Sequence, residues 1–167
     1  MRRKNMHKKR LRKVSVELIP LSHPAYKMMT KIRERHHRHI RKAKIALAWK
    51  KKIKPDRDGH VLLGKCKKAS DLQREISAWD FIILLNKEVW EHEKFGSKRQ
   101  KALLDHELCH AAQAYDKKGK RMKNDRGKYV FRMRHHDVEE FSEIVDRHGI
   151  WKHDLQVFAD ALLKRRK

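Results

Sequence analysis

The most apolar run in the chain covers residues 79–86, and even this run contains a charged residue, Asp80. A run of this length fits a buried strand, whereas a membrane-spanning helix needs about 18 or more consecutive apolar residues. Charged residues make up 40% of the chain and hydrophobic residues 39%, so a core can form only where such apolar runs meet. The sequence therefore predicts one modest core around a strand at residues 79–86.

Positive charge is concentrated at the N-terminal end of the sequence. The 167 residues hold 45 Lys and Arg against 21 Asp and Glu, a formal net charge of +24. Residues 1–54 contain 20 of these basic residues but only two acidic ones, Glu17 and Glu34. Nearly all of residues 1–13 are polar or basic, and Pro20 and Pro24 follow them. We therefore expect an extended or disordered basic arm at residues 1–27 and a single folded domain at residues 28–167.

Such a charge predicts a polyanionic partner, and non-specific nucleic acid (DNA) bound through the basic N-terminal region is the expected one. No DNA motif that reads base sequence is visible. Residues 1–13 lack the apolar run of a secretory signal, so we expect a cytoplasmic protein with no membrane partner. Cys66 and Cys109 are too few for a disulfide scaffold or for an all-cysteine zinc site.

Local patterns predict the order of the elements. Within residues 45–54, the large apolar residues Ile45, Leu47 and Trp49 stand at every second position, as in a strand. A turn signal at residues 55–59 then precedes a second candidate strand ending near Ala69, and together they predict a β-hairpin. A capping box of Ser97 and Gln100 predicts the start of a longer helix. The predicted helices cover residues 28–44, 71–76, 97–115, 137–147 and 154–163.

The sequence His106-Glu107-Leu108-Cys109-His110 is an HExxH motif inside the predicted helix at residues 97–115. Residues i and i+4 lie one turn apart on the same helix face, so both imidazoles can reach one metal ion. The intervening Glu107 is placed to polarise a metal-bound water. The motif thus predicts a zinc centre with His106 and His110 as ligands and Glu107 as general base.

A catalytic zinc takes three protein ligands and keeps one position for water, so a third ligand must come from elsewhere. The candidates are His135, His136 and Glu140. Asp137 fits the N-cap of the helix predicted at residues 137–147, which gives Glu140 a structural role in a capping box. Asp105 and Asp137 are candidates for orienting a ligand histidine, although the cap is the favoured role for Asp137.

Three segments together resemble the putative phage metallopeptidase family, which is similar to the SprT-like zinc metalloproteases. They are the residues around the HExxH motif (105–111), the later segment from His136 to Phe141, and the upstream residues 79–83. In the SprT-like pattern a third zinc-binding histidine opens a segment like the one beginning at His136. This sequence has Asp-Val in place of Gly-Pro there, and one extra residue before Phe141.

The resemblance implies a zincin-like metallopeptidase domain of α+β class over residues 28–167. In it a small antiparallel sheet packs against the HExxH helix and its neighbours. It also implies His136 as the third metal ligand, Zn²⁺ as the cofactor, and a phage-encoded protein of the host cytoplasm or nucleoid. SprT-like relatives cleave proteins on DNA, so the implied partners are a protein or peptide substrate and DNA.

The predicted function is a zinc-dependent endopeptidase that hydrolyses peptide bonds by a metal-activated water and acts near nucleic acid. The alternative is a non-catalytic basic nucleic-acid-binding protein with a structural zinc site. A structural site is closed by four protein ligands and has no use for Glu107, which favours the enzyme. Zinc-dependent hydrolysis of a non-protein substrate is a third possibility.

Overall fold

The computed structural model describes residues 15–164, apart from the side chain of Glu143, so most of the predicted basic arm lies outside it. The described residues form an α+β arrangement of short strands and helices. The strands are β1 (Val16–Leu18), β2 (Ile45–Lys50), β3 (Gly64–Lys68), β4 (Phe81–Asn86), β5 (Ala111–Gln113) and β6 (Phe131–Met133). The helices are α1 (Pro24–His36), α2 (Asp71–Ser77), α3 (Lys87–Trp90), α4 (Ser97–Cys109), α5 (Ser142–His148) and α6 (His153–Lys164), with a 3-10 turn at Arg38–Ile40.

The main sheet of the described residues has four strands in the order β1-β2-β4-β3 and is mixed. β1 is antiparallel to β2, β2 is parallel to β4, and β4 is antiparallel to β3. The expectation of an antiparallel sheet is therefore wrong, and so is the hairpin of residues 45–54 with residues 61–69. β4 lies between their strands because Phe81, Ile83 and Leu85 are fully buried only at the centre of the sheet.

The turn predicted at residues 55–59 is nevertheless confirmed, and a side-chain cap lies after β3. The Asp56 carboxylate accepts the backbone N–H groups of Asp58 and His60, which closes the turn after β2. Ser70 caps α2 in a capping box with Gln73. Turn and cap chemistry acts within a few residues, whereas the choice of strand partner depends on which apolar faces the whole chain can bury.

One face of the sheet builds the core. Ile45, Leu47 and Trp49 on β2 point to this face, as do Phe81, Ile83 and Leu85 on β4, and α1 and α4 pack there. Leu104 and Leu108 on α4 are fully buried against it. Burial of a leucine side chain stabilises a fold by about 1.5–3 kcal/mol, so these contacts fix α4 firmly against the sheet.

The helix α4 is shorter than predicted at its C-terminal end. It ends at Cys109 instead of near Tyr115, and residues 111–113 form β5, which pairs antiparallel with β6. The Gln113 side chain donates to the backbone carbonyl of Val130, which ties the two strands further. The intrinsic helix propensity of Ala-Ala-Gln-Ala is a small effect, and the pairing with β6 overrides it. The predicted Ser97 cap is also wrong, because Gly96 is the N-cap of α4.

The helix predicted at residues 28–44 is α1, which begins four residues earlier at Pro24 and ends at His36. Pro24 occupies the first turn, where its missing N–H costs nothing. β1 and the start of α1 therefore lie within residues 15–27, which the sequence assigns to the arm. The boundary between arm and domain stays a prediction.

Two compact units divide the chain between Met133 and Arg134. The second unit contains α5 and α6, and α6 agrees with the helix predicted at residues 154–163. The helix predicted at residues 137–147 begins instead at Ser142, because Arg134 binds the Asp137 carboxylate at 2.7 and 2.8 Å and Asp137 does not cap α5. Within residues 15–164, no helix is both long and apolar enough to cross a bilayer.

Candidate metal centre

The last turn of α4 carries the first half of the HExxH motif. His106 and Glu107 lie inside the helix, and His110 is its C-cap residue with right-handed helical backbone angles. The i, i+4 relation of the two histidines therefore survives even though the helix ends between them. Leu104 and Leu108, buried on the core side of α4, hold this turn in place.

The two imidazoles fit a shared metal ion. Their ring centroids are 5.1 Å apart, and a ring nitrogen of each lies within 4.8 Å of one from the other. His106 is exposed and His110 is half-buried, so an ion can reach both. Imidazole nitrogens are preferred ligands of zinc, with bonds of about 2.0–2.1 Å. The two histidines and their spacing are thus suited to supply two of the ligands of a Zn²⁺ ion.

Glu107 is buried, with 3% of its surface exposed, and points at the edge strand β3. Its Oε2 accepts the backbone N–H of Cys66 at 2.6 Å. A Cβ added at Gly64 would lie 2.7 Å from Glu107 Oε1 and 3.1 Å from the Leu103 side chain. The carboxylate therefore fits against β3 only because residue 64 has no side chain.

Burial raises the pKa of the Glu107 carboxyl above its ordinary value. The hydrogen bond from Cys66 and the electrostatic influence of the nearby His110 lower this pKa. A carboxylate that is desolvated but still hydrogen-bonded is a stronger proton acceptor than one on the surface, which is the property a general base needs.

A second group of potential metal ligands lies beside the motif. Asp105 and Cys109 have the same i, i+4 spacing as the two histidines, and His37 meets them so that one donor atom of each lies within 4.8 Å of the others. The Nε2 of buried His37 donates to Asp105 Oδ1 at 2.6 Å. Asp105 therefore holds the residue that follows α1, and its predicted role in orienting a ligand histidine stays a prediction.

The other predicted residues of the site belong to the second unit. His135 and His136 lie in the irregular segment before α5, and Asp137 in the same segment binds Arg134. Glu140 accepts the backbone N–H of Phe141 and forms an ion pair with Lys152 at 3.3 Å. Which of these residues completes the metal site stays a prediction.

Three residues of the site were not found by sequence reasoning: His37, Gly64 and Cys66. His37 and Asp105 are 68 residues apart, and no local pattern connects them. Cys66 contributes only its backbone N–H, which every residue except proline has. Gly64 did carry a signal, because a single glycine in a strand marks a close approach of another group.

Comparison with known proteins adds a family to this geometry. A family model described as "Putative phage metallopeptidase" matches residues 22–162, which include α1, the strands β2, β3 and β4 of the main sheet, the HExxH motif and α5. The chain matches no curated protein and no solved structure. A metallopeptidase family implies a metal cofactor, in agreement with the two groups of potential ligands on α4. The chain belongs to the family described as putative phage metallopeptidase.

Proposed function

We propose that the protein is a zinc-dependent endopeptidase of the HExxH type. In this proposal His106, His110 and His136 hold the metal, and Glu107 is the general base. The observation that carries it is the buried Glu107 carboxylate, held by the Cys66 N–H on the same helix turn as two imidazoles that can share an ion. A site that only binds zinc has no use for a desolvated carboxylate beside the ligands.

The bound zinc would supply a Lewis acid that polarises the scissile carbonyl and makes water acidic near neutral pH. Glu107 does the proton transfer. Its Oε2 is held by Cys66, so Oε1 is the oxygen that takes the proton of the attacking water and passes it to the leaving amine. The hydrogen bond to a strand backbone keeps the carboxylate oriented for both steps.

His136 is the proposed third ligand on the grounds of donor type and of the resemblance of residues 136–141 to the SprT-like segment. Glu140 is the weaker candidate because the Phe141 N–H and Lys152 already bind its carboxylate. Three protein ligands leave one coordination position open, as catalytic zinc sites require.

The test is zinc content and casein cleavage in the wild type and in the Glu107→Gln variant. Glutamine can still accept the Cys66 N–H, so the fold and the bound zinc should be retained while cleavage falls by at least a hundredfold. Glu93→Gln, the same change at an exposed residue before α4, is the matched control and should cleave like the wild type. Cleavage by Glu107→Gln at the wild-type rate would refute the proposal.

We further propose that the enzyme binds nucleic acid through its basic surface and acts near it. Support comes from the net charge of +24 and from the lysines on the outer face of the main sheet. Lys50 on β2 and Lys65 and Lys67 on β3 share this face, because residues two apart in a strand point the same way. With Lys52 and Lys54 they line one groove, and none of its described lining residues is acidic.

A groove of this kind suits a phosphate backbone without reading its sequence. Lys65 and Lys67 lie about 7 Å apart along β3, so they can contact different phosphates. The groove lies on the face of the sheet opposite to the core and to α4. Leu62 and Gly64 line both this groove and the surface beside Glu107, so a nucleic acid bound there would lie next to a protein substrate.

Salt-dependent binding of a single-stranded DNA oligonucleotide tests this partner. Reversal of both charges in a Lys65→Glu/Lys67→Glu variant should weaken binding and reduce the slope of log K against log salt by about 1.4. A Lys94→Glu/Lys98→Glu variant makes the same change of charge at exposed residues outside the groove and is the control. An equal loss of DNA affinity in the two variants would mean that DNA binding depends on the net charge of the protein and not on this groove.

A further inference from the structure

A cleft of about 590 Å³ adjoins the motif, a volume within the range typical of ligand-binding sites. It lies between the segment that leads into β3 and the helix α4, and both His106 and Glu107 line it. The rest of its wall is mainly apolar and includes Val61, Leu62, Leu63, Phe95 and Leu103. Among its described lining residues, Arg99 is the only charged side chain outside the motif.

Three consecutive apolar side chains of this wall are exposed. Val61, Leu62 and Leu63 keep 39%, 48% and 42% of their surface in contact with solvent. Single exposed apolar residues are ordinary on protein surfaces, but a contiguous patch in a concave site marks a place where another apolar group binds. This patch continues directly into the residues of the proposed active site.

Beside the patch, the outer edge of β3 is available to a further strand as far as Gly64, since Glu107 already binds the outward N–H of Cys66. β3 is at the end of the main sheet, and among the described residues it pairs only with β4. Asn86 donates to the Leu63 carbonyl, whereas the N–H of Cys66 points away from β4 to Glu107. Because these directions alternate along an antiparallel strand, the backbone groups of Gly64 also face outward. An extended peptide lying along this edge would present every second side chain to the same side.

We propose that this cleft binds a large apolar side chain of the substrate, next to the peptide bond that is cut. The inference deepens the proposed endopeptidase function and rests on it for the cutting step. An extended peptide is the occupant favoured by the open strand edge together with the apolar wall. The basic N-terminal residues of the chain itself do not suit an apolar cleft that carries Arg99.

Peptide binding to the Glu107→Gln variant tests the cleft without cleavage. The probes are two fluorescent peptides that differ at one position, leucine in one and lysine in the other. The leucine peptide should bind at least about tenfold more tightly, because burial of one large apolar side chain contributes a factor of this size. Equal affinities for the two peptides would overturn the proposal.

Charge placed in the wall should change this preference. Leu63→Glu, made in the Glu107→Gln background, should weaken binding of the leucine peptide and strengthen binding of the lysine peptide, since a carboxylate in the cleft attracts an ammonium group. Leu63→Ala should weaken the leucine peptide without favouring lysine. Leu72→Glu, at a leucine on α2 that is 70% exposed and does not line the cleft, is the matched control. A Leu63→Glu variant that behaves like Leu72→Glu would contradict the assignment.

Cleavage of a mixed peptide library by the zinc-loaded wild type separates this inference from the function beneath it. Cuts that cluster beside large apolar residues support both. Cuts with no such preference would overturn the proposed role of the cleft and leave the proposed endopeptidase function standing. Selective binding by Glu107→Gln with no cutting by the wild type overturns the endopeptidase and leaves an apolar peptide site. A dimer that dissociates when Leu63 becomes glutamate would assign the patch to a second copy of the chain and overturn the proposal.

Discussion

The backbone N–H of Cys66 donates a 2.6 Å hydrogen bond to Glu107, which joins the edge strand β3 to the helix that carries the HExxH motif. Desolvation of a carboxylate is costly, and this bond from the strand offsets part of that cost. The same contact brings Glu107 beside the apolar cleft, so the proposed base and the proposed substrate site depend on one strand edge.

Substitution of Gly64 tests this contact. Gly64→Ala would put a Cβ 2.7 Å from Glu107 Oε1, so the carboxylate must move away from its position on β3. We expect cleavage to fall at least tenfold while bound zinc stays at the wild-type level, because the histidines are untouched. Gly96→Ala is the matched control, since a Cβ there meets nothing within 4 Å. Wild-type activity in Gly64→Ala would show that the contact does not matter for catalysis.

The His37–Asp105 bond should contribute to stability. His37 is 5% exposed, and its removal in His37→Ala leaves Asp105 without this partner and opens a small cavity. We expect the free energy of unfolding, measured by urea denaturation, to fall by about 1–3 kcal/mol. The neighbouring His36 is exposed, and His36→Ala should change the free energy of unfolding by no more than about 0.5 kcal/mol. A similar loss in both variants would contradict the role given to His37.

The two cysteines should react very differently with a thiol reagent. Burial, together with the charge of Glu107, raises the pKa of Cys66 to about 12, whereas Cys109 is exposed. At pH 8 the Cys66 thiol is therefore neutral as well as inaccessible, and only thiolates react quickly. We expect one fast-reacting thiol per folded chain, none in Cys109→Ser and two in the wild type after unfolding. Fast labelling of Cys109→Ser would place Cys66 at the surface.

Zinc content of histidine variants tests the proposed ligand set. His106→Ala, His110→Ala and His136→Ala should each lower zinc affinity by at least tenfold, because each removes one of three ligands. His135→Ala should bind zinc like the wild type and is the matched control next to His136. Full zinc binding by His136→Ala, with loss in His135→Ala or in Glu140→Gln, would move the third ligand to that residue.

The sequence predicts the parts of this fold that depend on local chemistry. The turn closed by Asp56 is present as the pattern indicates, and the strand predicted at residues 79–86 is β4 at residues 81–86. The predicted strand pairing was wrong, because the sequence does not show that residues 81–86 insert between the two strands assigned to a hairpin. The predicted end of α4 was wrong, because residues 111–113 pair with β6, which is distant along the chain.

In the candidate site, too, the local part could be predicted from the sequence and the long-range part could not. His106, Glu107 and His110 are recognisable because their chemistry lies within one turn of one helix. The contacts that position Glu107 come from β3, which is distant along the chain and supplies a glycine and a backbone N–H. Such contacts have no residue signature of their own, so only the three-dimensional arrangement reveals them.

The most direct measurement is casein cleavage by the zinc-free wild type as zinc is added back in known equivalents. We expect no cleavage without metal and a rise in cleavage that saturates at one zinc per chain, because one zinc held by three ligands would supply the Lewis acid while Glu107 takes the proton of the water. Cleavage that does not depend on zinc, or an inactive chain with one zinc bound, would show that the protein is not a zinc endopeptidase.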